Sequence, residues 1–445
     1  MNSADSVTPL VANLLRRNLH VADYQLTLAV VAANIAAMGG ALVAGIACDY
    51  LGRKRTLTAS GVMFLVGNLM KVLATSSYSL LVVGQVATGV ATGFSLTVAP
   101  LFIAELIPSK NRGLYTALTE VLYNLGITFS YILNNVISAD FPSDVAQRVT
   151  YGLPAFLSLM FVFELLLLLP ESLYWLIANR GLIGDAIEIM KDSERGLGEI
   201  DYVIRQMRLE ANIPRQRTNR NQRTAPATQV RLLWKEFIGQ GPIRRNLMIV
   251  GGIHILRQSS GVGAFKMESL LVVLDFSRSG MFIANLMILA VRIFYASLSS
   301  WLVDRIGRRI LLLSGCLSTG AFYLLFGLPL VAIQASAELS NLAEYAVKTV
   351  ALLAMMGIMG AFEVGLGTVT WTITSEAFGY RFRAQGASIA VLLNRAAETV
   401  LVVTFAPLCG WIGITGASVL FCVVMAAGFG FCYFFVEKKD TFVLE

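Results

Sequence analysis

Charge is scarce in this chain. Of its 445 residues only 14% are Asp, Glu, Lys or Arg, against about 25% in an ordinary soluble domain. That shortage excludes a globule with a fully wetted surface. Histidine is scarcer still: His20 and His254 are the two, and neither has ligand-like neighbours in sequence. The five cysteines are Cys48, Cys316, Cys409, Cys422 and Cys432. They lie in or beside apolar runs, with no Cys-x-x-Cys pair, which excludes a spaced disulfide framework or a zinc site. They read as small buried hydrophobes. No nucleophile, base and acid set stands out, and no glycine loop ends in Gly-Lys-Ser/Thr. The sequence therefore does not read as an enzyme, and no metal or organic cofactor is expected.

What the chain has instead is apolar length. It is 56% hydrophobic, with a mean hydropathy of +0.68. A membrane-spanning helix needs roughly 20 mainly apolar residues, and only helices or closed barrels satisfy their backbone groups in lipid. Runs such as "LLVVGQVATGVATGFSLTVAPLFIA" (80–104) have helix length. They lack the alternation of barrel strands, which are about 9–11 residues long. The expectation is an all-α membrane protein. Eleven spans are predicted, near 25–48, 56–74, 80–104, 114–137, 149–169, 246–273, 281–303, 310–332, 348–374, 386–407 and 416–435.

The connections carry the positive charge. Arg53, Lys54 and Arg55 follow the first span, Lys110 and Arg112 the third, and a long basic segment the fifth. Arg305, Arg308 and Arg309 follow the seventh, Arg381 and Arg383 the ninth, and Lys438 and Lys439 the last. By the positive-inside rule these loops are cytoplasmic. The net charge of +7 is thereby explained by the bilayer as partner, without nucleic acid. The C-terminus comes out cytoplasmic and residues 1–23 on the far side. "PLVANLL" in that remnant is too short to span, so either the N-terminus is truly outside or a first span is missing.

Residues 177–245 form the one soluble-looking region. "IGDAIEIMKD" and "EIDYVIRQMRLEA" have helical apolar spacing, and "NIPRQRTNRNQRTAPATQ" reads as a polar linker. The chain thus divides into an N-terminal transmembrane half (24–176), this cytoplasmic loop (177–245), a C-terminal transmembrane half (246–435) and a short tail (436–445).

The halves repeat one another. Asp49-x-x-Gly52-Arg53 returns as Asp304-x-x-Gly307-Arg308. Glu105 precedes Arg112 by seven residues, and Glu376 precedes Arg383 by seven. "PESLYWL" closes the first half and "VEKKDTFVLE" the second. Parallel repeats across a central loop imply two similar helical halves with a site between them near the midplane. Equal halves would need six spans each, and only five precede the loop.

These motifs resemble the sugar porter family of the major facilitator superfamily, over essentially the whole chain. They match its GRxxDxxGRR loops, PxYxxExxPxxxRG segment, PESPRWL and WxxxSExxPxxxRxxG. "FEVGLGTVTW" (362–371) is similar to its tenth-helix FEVGPGPxxW, and "GIHILRQSSGVGA" to its seventh-helix GxxxxQQxxGxN. "TEVLYNLGI" and Arg292 look most like the plant-type polyol and monosaccharide branch. The resemblance implies a major facilitator fold of two pseudo-symmetric halves, about 5 + 6 spans here. It implies a carrier at the plasma membrane that moves a small neutral polyol, sugar or cyclitol by alternating access. Proton symport and facilitated diffusion both stay open.

Several residues carry roles on that basis. Asn124, Gln258, Trp371 and Asn394 match substrate contacts: amides to bind hydroxyls, an indole to face C–H surface. Arg257 and Glu363 belong to the same candidate set. Intramembrane charges cost enough to mark pairs or cavities, and Glu120, Glu363, Arg292 and Lys266 are such charges. Glu120 and Arg292 are expected to form an ion pair between the halves; the other reading of Arg292 is snorkelling to an interface. Glu164 has no assigned role. Gly45, Asp49, Gly52, Arg53, Glu105, Arg112, Asp304, Gly307, Arg308, Glu376 and Arg383 resemble the family's cytoplasmic latch, where carboxylates and guanidinium groups hold the inner gate shut.

The sequence departs from the family pattern at Arg257, Gly263, Gln85, Thr368, Gly379, Leu173 and Tyr174. Arg257 favours an anionic substrate or spoils a polyol site, and Gly263 deletes a polar contact. A non-transporting sensor and a truncated inactive paralogue are the alternatives to a carrier.

Overall fold

In the computed structural model of the chain, the described residues are 22–74, 77–107, 112–177, 183–192, 204–205, 236–237, 239, 241–263, 274, 276–335 and 341–436. Among them there is no strand. The first five long helices are α1 (Asp23–Leu51), α2 (Arg53–Leu73), α3 (Tyr78–Leu106), α4 (Arg112–Asp140) and α5 (Ser143–Leu167). A short helix, α6 (Ile183–Asp192), lies in the central loop. The second half holds α7 (Gly241–Ser259), α8 (Arg278–Ile306), α9 (Arg308–Ala335) and α10 (Asn341–Phe362). A π-helical turn, Glu363–Gly367, follows, then α11 (Thr368–Glu376) and α12 (Arg383–Phe435). Eight described segments are long and apolar enough to cross a membrane.

Four predicted spans differ in detail. The span expected at 246–273 begins earlier and its helix ends at Ser259. Gly261, at φ 80°, turns the chain there; residues 264–273, including Lys266, lie outside the described residues. The span at 348–374 is interrupted by the π turn. The last two spans run on as one helical stretch, broken only at Gly413, where φ is 70°.

The repeat in sequence becomes a repeat in structure. Apart from the repeat, in which α8 matches α1 and not α3, Ser77 caps α3 by accepting from the Leu80 amide, and Ser277 caps α8 by accepting from the Gly280 amide. Such caps satisfy amides that a helix start leaves open. At the cytoplasmic end, Gly52 and Gly307 join α1 to α2 and α8 to α9 with φ of 102° and 94°. Side chains rarely adopt that conformation, so both tight corners require glycine.

Packing inside the membrane relies on small residues. A Cβ at Gly93 of α3 would lie 2.1 Å from the Ala37 carbonyl oxygen of α1. The halves meet where α1 packs on α12 and α4 packs on α8. A cavity of about 330 Å³ lies within the N-terminal half, between α2, α3, α4 and α5, and is lined by Asn68, Lys71, Thr88, Asn134 and Tyr151 among others.

Candidate functional site

The centre of the molecule is built around one carboxylate. Glu120 stands eight residues into α4, about 12 Å along its axis from the cytoplasmic end. Its Oε1 accepts from Arg257 Nη2 of α7 at 2.7 Å. Its Oε2 accepts from the Trp371 indole of α11 at 2.9 Å. Arg257 also donates to the Gly367 carbonyl, which the π turn presents. Its guanidinium lies 5.2 Å from the Trp371 ring centroid and 5.6 Å from that of Phe362. All three polar residues are buried. The N-terminal half thus supplies the anion and the C-terminal half supplies the cation and the indole.

This replaces the expected Glu120–Arg292 pair. Arg292 instead binds Glu363 within its own half, Nε and Nη2 both donating to Oε1 at 3.0 and 2.8 Å. The reason is local: Glu363 opens the π turn, and that turn packs against α8, which carries Arg292. Arg292 is accordingly held in the protein rather than snorkelling. Oε2 of Glu363 is buried with no hydrogen-bond partner. Removing one partner of a buried pair of this kind costs about 3–5 kcal/mol, because the other charge is stranded.

The predicted amides occupy different situations. Asn124, one turn beyond Glu120 on α4, is fully buried, and neither atom of its amide has a partner. Asn394 of α12 accepts from Gln258 at 3.0 Å and from Arg395 at 2.7 Å, while its Nδ2 has no partner. Gln258 also donates to Glu398 at 3.2 Å, and Arg395 pairs with Glu398. Arg257, with its charge matched by Glu120, offers no surplus positive charge to an anionic substrate.

Several members of this centre escaped the sequence reading. Arg395 and Glu398 were legible as opposite charges three residues apart in an apolar helix. His254, at 2.7 Å from the Thr374 hydroxyl and edge-on to Trp371, left no comparable signal. Lys71 was hidden at the outer end of α2. It is buried, 3.5 Å from the Thr88 hydroxyl, with its ammonium 5.0 Å from the Tyr151 ring centroid. Glu164 is exposed in the last turn of α5, at the end where Lys54 reaches the Leu166 carbonyl. It therefore sits at the end of the molecule that carries Lys54.

The cytoplasmic residues form two matched networks. In the first half, Arg53 joins Asp49 and Glu105, and Glu105 also accepts from Ser172. In the second, Arg308 joins Asp304 at 2.7 Å and Glu376 at 2.9 Å. The glutamates therefore pair with Arg53 and Arg308. Arg112 and Arg383, seven residues after them, instead meet at Tyr380: Arg112 donates to its hydroxyl at 3.1 Å, and Arg383 lies 4.3 Å from its ring centroid. A seven-residue spacing crosses the helix end, so the arginine starts the next element and points elsewhere.

Contacts between the halves close this end. Gln385 donates to Asp49 at 2.5 Å, and Asp304 accepts from the Leu114 amide at 2.9 Å. Tyr174 stacks on Tyr380 at 5.6 Å. Asp304 thereby places a negative charge at the N-terminus of α4, where the helix dipole favours it. Gly45 admits the close approach of α12: a Cβ there would lie 2.7 Å from the Ser388 hydroxyl. Towards the other end, Tyr131 of α4 stacks on Phe282 of α8 at 5.9 Å. The central carboxylate is enclosed between these two closures.

Two helical halves around an enclosed polar centre define a membrane transporter of the major facilitator fold. The sugar (and other) transporter family matches residues 4–441, and the chain belongs to it. It is 30% identical to a protein named putative polyol transporter 1 of Arabidopsis thaliana, over 97% of this chain and 84% of the relative. It is 28% identical to polyol transporter 5 of the same plant, over 97% and 80%. Among solved structures, the proton:xylose symporter XylE bound to 6-bromo-6-deoxy-D-glucose superposes with a TM-score of 0.81 at 19% identity, covering 99% of this chain and 94% of that one. The inward-open form of XylE from E. coli gives 0.70, over 99% and 94%.

Proposed function

We propose that the protein carries a small neutral polyol or sugar across the membrane by alternating access, through the centre bounded by Glu120, Asn124, Arg257, Trp371 and Asn394. The observation that carries this reading is the set of buried polar atoms without partners. Both amide atoms of Asn124, the Asn394 Nδ2 and the Glu363 Oε2 are in this state. Buried polar atoms are almost always paired. A ligand with several hydroxyls, each a donor and an acceptor, answers all of them without adding charge. The Trp371 face suits the C–H surface such a ligand also presents. The polyol names of the relatives and the cytoplasmic closure support the same reading.

The test is uptake of radiolabelled sorbitol, xylitol, myo-inositol and D-xylose into proteoliposomes holding the purified chain. Saturable uptake of one, competed by the unlabelled compound, is the expected result. No uptake and no binding of any of the four would refute it. We further propose the plasma membrane as its location, which imaging of the tagged full chain in its own cells would check.

A further inference from the structure

We infer that Glu120 is the group that takes up and releases the proton in this carrier, with Arg257 as the counter-ion it leaves and rejoins. The inference rests on the carrier reading above and deepens it. Alternating access moves the two halves apart and together, so a coupling site must feel that motion. The described carboxylates separate sharply by this criterion. Glu363 pairs with Arg292, and Glu398 with Arg395, each within the C-terminal half. Such pairs travel as one body and sense nothing. Glu105 is held by Arg53 within the N-terminal half. Asp49 and Asp304 touch the opposite half at the cytoplasmic end, and Glu164 is exposed. Glu120 is the described carboxylate in the membrane interior whose ionic partner belongs to the other half.

The geometry states what protonation does. A proton from water forms an O–H bond at Oε1 of Glu120. The charge-assisted bond from Arg257 Nη2 is lost, while Oε2 still accepts from the Trp371 indole. Arg257 remains charged and keeps the Gly367 carbonyl and the Trp371 and Phe362 faces. The ionic tie between the halves is thereby removed without stranding an anion. When the proton leaves to the cytoplasmic side, the carboxylate reclaims Arg257 and the tie reforms. Nothing is oxidised or reduced, and one proton crosses per cycle.

The groups around Glu120 fit this role. Arg257 faces it from α7 and Trp371 from α11, with His254 behind Trp371. Glu363 of the π turn is within coulombic range, as is Arg292 of α8; Tyr123 lies on its own helix. The one charged residue of α3 is Glu105, at its end, and Arg148 and Glu164 stand toward the two ends of α5. Arg292 and Glu363 are matched to each other, so the charge balance at Glu120 turns on Arg257.

Two measurements test this. First, tryptophan fluorescence of the purified full chain is followed against pH, with Trp371→Phe identifying the signal of the indole bonded to Glu120. A transition that vanishes in Trp371→Phe and in the isosteric Glu120→Gln is expected; a Trp371 transition that persists in Glu120→Gln overturns the proposal. Second, proteoliposomes are given a one-unit inward pH gradient and labelled sorbitol, xylitol or D-xylose, whichever the wild type carries. One-to-one coupling predicts about tenfold accumulation. Whatever compound Glu120→Gln still moves, at a rate that loss of this contact can itself lower, should stay at an inside-to-outside ratio of about 1. Gradient-driven accumulation by Glu120→Gln, or its absence in the wild type, overturns the proposal. If the wild type moves none of these compounds, the carrier reading fails instead, and the fluorescence arm still decides whether Glu120 titrates against Arg257.

Discussion

Arg53 and Arg308 hold the same position in the two halves of the molecule. Each donates Nη1 to the carbonyl five residues before it, Cys48 for one and Val303 for the other. Each meets an aspartate four residues back and a glutamate at the end of another helix. Their environments differ: the Arg53 side chain is wholly buried, and that of Arg308 keeps 19% of its surface.

That difference predicts unequal consequences. Arg53→Ala strands Glu105 in the protein and should destabilise by about 3–5 kcal/mol. Arg308→Ala leaves partly wetted carboxylates and should cost about 1 kcal/mol. Thermal unfolding of the two variants in detergent compares them directly. Equal losses would refute the account based on burial.

Glu363 and Arg292 should show strong coupling. Glu363→Leu leaves Arg292 as an unmatched charge in the membrane and should lower stability sharply. Adding Arg292→Met should restore much of the loss, because the pair and its desolvation cost vanish together. A double-mutant cycle by thermal unfolding should give an interaction of about 1–3 kcal/mol. Purely additive losses would show that the pair does not act as a unit.

Asn124→Ala is expected to separate stability from transport. Its amide has no partner to lose, so the melting temperature should stay within a degree or two. Substrate should lose about one good hydrogen bond, raising the half-saturation concentration roughly tenfold. A large drop in melting temperature with unchanged transport would place this amide in the fold alone.

Gly45→Val should open the cytoplasmic end. The added Cβ would stand 2.7 Å from the Ser388 hydroxyl, and the two helices cannot keep their distance around it. A cysteine placed at Ser388 should react faster with a membrane-impermeant thiol reagent added from the cytoplasmic side. Arg383→Glu should act in the same direction by turning repulsive toward the Tyr380 ring face it now covers. Unchanged reactivity in both variants would count against a gate at this end.

Much of this architecture was legible in the residue order. Apolar run length set the helices, because lipid leaves the backbone no alternative. Basic loops gave an expectation of sidedness. The twin motifs at Asp49 and Asp304 gave the two halves, and they still occupy matched places in the fold. Glu120 was singled out as an expensive charge in an apolar span, and Trp371 and Arg257 by the resemblance of their segments to family motifs.

Which charge meets which was decided only in three dimensions. Sequence placed Glu120 and Arg292 on facing helices and joined them. The folded chain gave Arg292 to Glu363, because the turn that begins at that carboxylate packs against α8, and left Glu120 to Arg257. It also gave Glu105 to Arg53, a partner that the motif spacing does not specify. An ion pair depends on side-chain direction to within an ångström or two. Hydropathy and charge patterns record the depth of a residue in the membrane and the side its loops face, but not the angle at which its side chain leaves the helix.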